Sequence, residues 1–397
     1  MLHRFVLPVS RGLEGLLAQE LVSLGLGPAT PGHGIVEIAG PLSAGYRACI
    51  GSRIASRVLL QLARFPGADA DALYRGAARI PWESHIDPAG TLWVDVVGGT
   101  ESLRHRQYAA RVTKDAVVDR LRTWTGERPS VEREAPDLRL VVHLGDDGHI
   151  NLLLDLAGDP LHERGAGRAA GDAPIKETLA AALLFAAGWP AAAARGTPLV
   201  DPFCGAGTIL REAAAMARDQ APGLGRRRWG FSRWRGHDAA AWAAVRTAAQ
   251  AAADAGRGRP LHLSGSDEDA AVLARAAENL LADGVDDVRL TRRAVDALVP
   301  PRGADGPGLL VTNPPYGERL GSPEAAAALH RTFGDRLKLT FDGWTAWVVT
   351  AVDRVGDLGL RPARRMPAWN GPLEVRFVEI PIRGRNPRVS PAAGSEG

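Results

Sequence analysis

Apolar and polar positions follow two different rhythms along this chain. Residues 3–8 (HRFVLP) form a short apolar run of strand type. Leu13, Leu16, Leu17, Leu21 and Leu24 then recur at spacings of mostly three and four, which puts them on one face of a helix. Gly25 and Gly27 stop that helix. GIVEIAG reads as a strand, Leu42 to Ile50 as a helix and Ser56 to Arg64 as a further strand. That succession predicts a small α+β domain. Asp69 to Arg79 is predicted helical, TLWVDVVG alternates with the period of a strand, and Gln107 to Trp124 forms a long helix. LRLVVHLGDDGHINLLLDL reads as a hairpin that turns at Asp146-Asp147-Gly148.

Beyond residue 174 the rhythm changes. The stretch 158–174 is rich in Gly, Arg and Ala, ends at Pro174, and reads as a linker. The short apolar runs TPLVDPF, LHLSGSD, DVRL, GLLVTNPPY, WTAWVVTA and LEVRFVEIPI then alternate with helical segments, the pattern of a doubly wound α/β domain. The expected division is 1–65 and 66–157 for two α+β units, 158–383 for the α/β domain, and 384–397 for a disordered tail. A fragment beginning near Gly158 is therefore expected to fold as a separable α/β domain.

Composition narrows the classes. The chain has 397 residues, 45% of them apolar and 23% charged, enough for a full core without staples. Two cysteines, Cys49 and Cys204, exclude a disulfide framework and a zinc site built on paired cysteines, and point to a reduced, cytoplasmic protein. The longest apolar run, Leu179 to Trp189, is too short to cross a bilayer, and the first residues lack the pattern of a signal peptide. No membrane and no metal are expected. The net charge is +3, and Lys114, Lys176 and Lys338 are the only lysines. Abundant arginine beside abundant alanine reflects coding bias, so local clustering carries more information than the total.

Four segments carry chemistry. Asp201-Pro202-Phe203-Cys204-Gly205-Ala206-Gly207-Thr208 follows a strand and opens a helix, so its glycines admit a ligand close to the backbone and to unpaired N–H groups. Leu210 stands where a dinucleotide fingerprint needs its third glycine, and no phosphate-loop lysine motif occurs. Gly265-Ser266-Asp267 ends the next strand. Asp267 is either an acceptor for ribose hydroxyls or a helix N-cap, and Asp269 a charge in the first helical turn. Asn313-Pro314-Pro315-Tyr316 ends a later strand. Its prolines hold the loop extended, the Asn313 oxygen and the Pro314 carbonyl offer acceptors to an exocyclic amine, and Tyr316 offers a face to a base. Gly225 to His237 (GRRRWGFSRWRGH) holds five arginines, no acid, and Trp229, Phe231 and Trp234. That mixture suits phosphates and unstacked bases, against the plain alternative of a solvated charge run. Cys204 reads as packing in the turn, not as a nucleophile.

The order DPFCGAGT, GSD, NPPYGERL resembles class I S-adenosylmethionine-dependent amino-methyltransferases. With RGLEGLLAQEL, LHERG, APIKETLAAALL, APGLGRRRWGFSRW and NGPLEVR, the chain is similar over nearly its whole length to the THUMP-containing 23S rRNA guanine-N2 methyltransferases, the RlmL half of bacterial RlmKL enzymes. It ends where the second, RlmK-type half would begin, and so resembles a single-activity version. The resemblance implies ferredoxin-like and THUMP domains ahead of a Rossmann-like methyltransferase domain. It implies S-adenosylmethionine held by Asp201, Pro202, Phe203, Cys204, Gly205, Gly207, Thr208 and Asp267. The family's acidic contact to the adenine amine falls on Asp296, or on Ala294 if the strand ends two residues earlier. Asn313, Pro314, Pro315 and Tyr316 would hold the target base. Arg226, Arg227, Arg228, Trp229, Arg233 and Arg235 are the candidate RNA contacts.

The reaction expected is direct transfer to guanine N2 of 23S rRNA, free or in a large-subunit assembly intermediate. Adenine-N6 methylation of RNA or DNA uses the same loop, and a non-catalytic RNA-binding assembly factor would keep the same fold.

Overall fold

The computed structural model describes residues 2–164, 175–301, 306–315 and 323–383. They form two compact units. Residues 1–168, 176–182 and 218–259 make the first, and 169–175, 183–217 and 260–397 the second.

The first unit runs β1 (His3–Pro8), α1 (Glu14–Ser23), β2 (Ala29–Pro31), β3 (Ile35–Gly40), α2 (Leu42–Gly51), β4 (Leu59–Pro66), α3 (Ala70–Ala78), β5 (Thr91–Gly98), α4 (Arg106–Thr125), β6 (Ser130–Val131), β7 (Leu138–Leu144) and β8 (His149–Asp155). One sheet of eight strands, in the order β2-β3-β1-β4-β8-β7-β5-β6, carries all of it. The two expected α+β units are thus joined through their backbones, because β4 pairs antiparallel with β8 from Leu59 opposite Asp155 to Pro66 opposite His149. The hairpin falls where its sequence placed it, with Gly145 N–H donating to the His149 carbonyl. Asp69 caps α3 by accepting from Ala72 N–H.

The second unit starts within α5 (Glu177–Ala186), which spans the division, and continues with α6 (Trp189–Ala194), β9 (Leu199–Asp201) and α7 (Thr208–Ala217). α8 (Ala239–Gly256) belongs to the first unit. The second resumes with β10 (Leu263–Asp267), α9 (Ala270–Ala282), β11 (Arg289–Arg292), β12 (Leu309–Thr312), α10 (Pro323–Thr340), β13 (Thr345–Ala351), β14 (Arg364–Asn370) and β15 (Leu373–Pro381). Its sheet order is β11-β10-β9-β12-β13-β15-β14, parallel from β11 to β13 and antiparallel for β15 and β14. Leu310, Val348, Val378 and Ile380 of this sheet pack with Phe333, Leu337 and Phe341 of α10. β14 contains Pro367, which an edge strand tolerates because it has no second partner to donate to.

The arginine–aromatic segment departs most from expectation. Trp229, Phe231 and Trp234 are only 5%, 1% and 6% exposed. Phe231 lies 4.7 Å from the Tyr46 ring and 5.0 Å from Trp242 of α8, and it stacks on Trp229 at 5.7 Å. Tyr46 Oη is 2.7 Å from His237 Nδ1 and accepts from Asp238 N–H, and burial pushes its hydroxyl up to about 12. Arg226 lies 4.9 Å from the Trp229 ring and donates to the carbonyls of Ala157, Asp159, Pro160 and Glu163. Three aromatic rings and a clamp of four carbonyls tie Trp229, Phe231 and the half-buried Arg226 into the first unit, while Arg227, Arg228, Arg233 and Arg235 stay exposed. Arg228 donates to the Pro136 carbonyl, Arg235 to that of Glu83, and Arg233 pairs with Asp137 at 2.7 Å. Arg227 is exposed.

Two boundaries change accordingly. The expected linker is ordered at least to Arg164, which is 5% exposed and donates to the carbonyls of Leu161 and Arg53. Residues 165–174 and the expected tail 384–397 lie outside the described residues. A fragment cut near Gly158 would keep the three strand-end motifs but strip residues 218–259 of the Tyr46 ring they pack on. Phe231→Ala should lower stability by about 3–5 kcal/mol, the range for emptying a buried aromatic site. Arg227→Ala should stay within about 0.5 kcal/mol, as exposed positions do. Urea unfolding of both variants measures the difference, and equal midpoints would disprove the core role of the segment.

Candidate active site

In the second unit the chain leaves β9 toward β10 and β11 on one side, then returns to place β12 on the other. The C-terminal ends of β9 and β12 therefore flank a topological switch point, where open α/β sheets hold ligands. The register fixes what meets there. Gly265 is opposite Asp201, and Leu310 is opposite Val200. The glycine turn, Asp267 and Asn313 thus emerge from three neighbouring strands, as their sequence order implied.

The turn after β9 is held by its neighbours. Cys204 N–H donates to the Ser266 carbonyl at 3.0 Å, Gly205 N–H to Asp267 Oδ2 at 3.2 Å, and Gly207 N–H to the Cys204 carbonyl at 2.8 Å. Asn279 of α9 donates to the Ala206 carbonyl at 3.0 Å. Gly205 and Gly207 have φ of +53° and +85°, which a side chain would strain. A Cβ on Gly205 would meet nothing within 4 Å, so this backbone faces open space, whereas one on Gly207 would touch Ala276 of α9 at 3.4 Å. Phe203 packs on the core of the unit, 5.1 Å from the Phe333 ring. Pro202 is buried, and Thr208 begins α7 half-buried.

Asp201 does not offer its carboxyl to a ligand. It is 1% exposed, accepts from Thr312 Oγ1 at 2.6 Å and from Phe203 N–H at 3.2 Å, and burial pushes it up to about 7. The carboxyl is thus turned to Thr312 and to the backbone of its own turn. Asp201 thereby links the glycine turn to Thr312, the residue before Asn313. Cys204 is 5% exposed, and burial beside Asp201 and Asp267 raises its thiol, which keeps it protonated at neutral pH.

The capping alternative for Asp267 falls to its neighbour. Asp269 is the N-cap of α9, accepting from Ala271 N–H and Val272 N–H, and not a first-turn charge. Asp267 is fixed by Gly205 N–H on one oxygen and Asp269 N–H on the other, which leaves each oxygen a further lone pair for hydroxyls. Asp296 lies in a short 3₁₀ turn after β11 and is exposed, as is Ala294 before it.

Asn313 follows β12 half-buried. Its Oδ1 is shielded from solvent and has no hydrogen-bond partner among the described residues. An unsatisfied buried acceptor costs stability and calls for a reason, and a ligand amine is one. Pro314 is buried and Pro315 half-buried. Tyr316 lies outside the described residues. Sequence reasoning missed Thr312 and Asn279. Thr312 reads as an ordinary strand former, but Asn279 is a polar residue beside Ala276 and Leu280 on a buried helix face, a legible signal. Among the described residues no cluster of three metal-ligating side chains occurs, and no helix is long and apolar enough to cross a membrane.

Comparison with known proteins finds methyltransferase relatives for this chain. Residues 164–376 match the RMKL-like methyltransferase domain, residues 4–59 the RlmL ferredoxin-like domain, and residues 67–150 the THUMP domain. The ribosomal RNA large subunit methyltransferase K/L of Stutzerimonas stutzeri (strain A1501) is 42% identical over 383 residues, covering 96% of this chain and 53% of that protein. The chain thus spans about half the length of the curated relatives it matches. Of solved structures, SMU.472 complexed with SAH aligns with a TM-score of 0.83 at 25% identity, covering 98% of this chain and 99% of that one. A Listeria monocytogenes str. 4b F2365 protein, named as a predicted N6-adenine-specific DNA methylase, gives 0.81 at 28% identity with 97% of each chain covered.

The raised Asp201 carboxyl has a pH signature. The folded chain holds this proton more tightly than the unfolded one, so the stability it contributes is full below the ordinary carboxylate range and is lost as pH rises through about 7. Asp201→Asn keeps the acceptor for Thr312 and removes the ionisation. Its melting temperature should fall less between pH 5.5 and pH 8 than the parent's, by calorimetry. Parallel pH profiles would show that Asp201 is not the titrating group.

Proposed function

This chain belongs to the RMKL-like methyltransferase-domain family, and from that premise we propose that it transfers a methyl group from S-adenosylmethionine to the exocyclic N2 amine of a guanine in 23S rRNA. The observation that carries the chemistry is the shielded, unpartnered Asn313 Oδ1 at the switch point. The choice of RNA rests on the THUMP match and on relatives named as large-subunit rRNA methyltransferases. The substrate is 23S rRNA, free or in a large-subunit assembly intermediate, and the setting is the cytoplasm.

The residues present fit the cofactor. Gly205 and Ala206 offer half-exposed backbone with open space above Gly205, and Asp267 keeps lone pairs for ribose hydroxyls. When bound, S-adenosylmethionine supplies a methyl group already activated by its sulfonium. The chain's part is placement. A guanine amine is a weak nucleophile because its lone pair is delocalised into the ring. Asn313 Oδ1 and the Pro314 carbonyl accept the two amine hydrogens, which turns the lone pair out of conjugation and toward the methyl group. An amide is no base, so Asn313 orients the amine and does not deprotonate it. Asp201 and Thr312 hold the strand end from which Asn313 projects.

An adenine N6 amine fits the same acceptors, and the Listeria neighbour's name gives that reading its support. Product chemistry separates the two. Asn313→Ala should slow single-turnover transfer about a hundred- to a thousandfold, as loss of one preorganised contact does, with cofactor affinity by calorimetry largely kept. Asn313→Asp, which retains the acceptor, should keep some activity. Transfer at the parent rate by Asn313→Ala would remove the residue from catalysis, and N6-methyladenine in the nucleoside digest would replace guanine as the target.

A further inference from the structure

Under the function proposed above, the target guanine leaves its stack to reach Asn313, and the stack it leaves has a gap to fill. The second unit places a side chain for that gap beside the site, on the side of β12 away from the glycine turn. β13 runs parallel to β12 with Val348 level with Thr312, and it ends at Ala351, three residues further on. β15 pairs antiparallel with β13 up to Val375 opposite Ala351, and the β14–β15 hairpin goes on to Leu373 opposite Asn370. At the rise of a strand the hairpin tip stands about 16 Å beyond the level of Thr312, on the edge of the sheet that carries the candidate site.

The sequence makes this tip stiff. Gly371 has φ of +64°, and Pro372 cannot follow it into positive φ, which leaves the II′ form of two-residue turn. Below the turn β15 is paired on both sides, with β13 from Thr345 to Ala351 and with β14 from Arg364 to Asn370. Val375 and Phe377 behind the tip are fully buried. Leu373 itself is 46% exposed, and so is Val352, the first residue past β13. A lone exposed leucine is ordinary. Two apolar side chains on the edge that carries the site, one of them on a braced tip, stand where the substrate passes. The charges nearby are already paired, Arg376 with Glu374 at 2.6 Å and Arg354 with Asp357 at 3.3 Å. The tip thus offers apolar bulk and not a phosphate contact, which suits insertion between bases.

We infer that Leu373 is a wedge that enters the RNA stack where the target guanine was and holds that base extruded toward Asn313. The inference rests on the methyltransferase reading above and adds the residue that deals with the unstacked substrate. Leu373 does not touch the reacting atoms. It acts on the population of extruded guanine, so its effect depends on how firmly the target is stacked to begin with.

The test uses the full chain and transcribed 23S rRNA, whose methylated guanine is mapped with the parent protein by mass analysis of nuclease fragments. A second transcript changes the nucleotides that pair and stack with that guanine, so that it is already bulged. Leu373→Ala should lower kcat/KM about tenfold on the intact transcript, as losing a leucine's apolar contact does. On the bulged transcript the loss should be less than about twofold, because little unstacking is left to assist. Leu373→Met, which keeps the bulk, should stay near the parent on both. Cofactor affinity by calorimetry should be the same in all three proteins, and at so exposed a position neither change should unfold the chain. Equal losses by Leu373→Ala on the two transcripts, or no loss on either, overturn the wedge. The two proposals fail distinguishably. A parent that methylates neither transcript removes the methyltransferase reading and the wedge with it, whereas a parent that methylates both with a flat response to Leu373→Ala removes the wedge alone.

Discussion

A buried carboxyl ties together the two strand ends of the candidate site. Asp201 sits at the end of the central strand β9, shut from water, and receives the hydroxyl hydrogen of Thr312 from the neighbouring strand. Everything chemical begins within a few residues of that bond. The glycine turn leaves from Asp201, and Asn313, with its unpartnered side-chain oxygen, follows Thr312. Ionising such a group in a dry environment is costly, which is why its proton is held to near neutrality. The bond fixes the spacing between the glycine turn and Asn313, and under the function proposed above that spacing sets how cofactor and amine are placed.

Order in the sequence carried the strand ends well. DPFCGAGT, GSD and NPPY each punctuate a strand, and the parallel sheet brings three strand ends to one edge, so their assembly could be read before any coordinates. Partners were harder. Whether an aspartate caps a helix, faces a ligand or sits in the core depends on which neighbour takes the cap, and here Asp269 took it and Asp201 went inside. Neither outcome is written in spacing.

The arginine–aromatic run shows a deeper limit. Composition alone reads arginine beside tryptophan as an RNA surface, and the same residues serve equally well as a mortar of rings and carbonyl-bound guanidinium. What decides is the presence of Tyr46, far away in the chain, and of Trp242 on the following helix, ready to cover the rings. β14 was passed over for a similar reason. Its Pro367 argues against a strand unless the strand is known to lie at an edge, and edge position is a property of the whole sheet.

Residues 218–259 also set a schedule for biosynthesis. Chains emerge from the ribosome N-terminus first, and folding units usually close as they appear. Here the eight-stranded sheet is complete by Asp155, yet the rings that pack on Tyr46 arrive only with Trp229, Phe231 and Trp242. Between those points the nascent sheet is made and part of its apolar cover is still inside the translating ribosome. The first unit to be started is thus among the last to be finished. A chaperone or a pause in translation would find its client in that interval, with Tyr46 uncovered and the strands of the second unit only beginning to form.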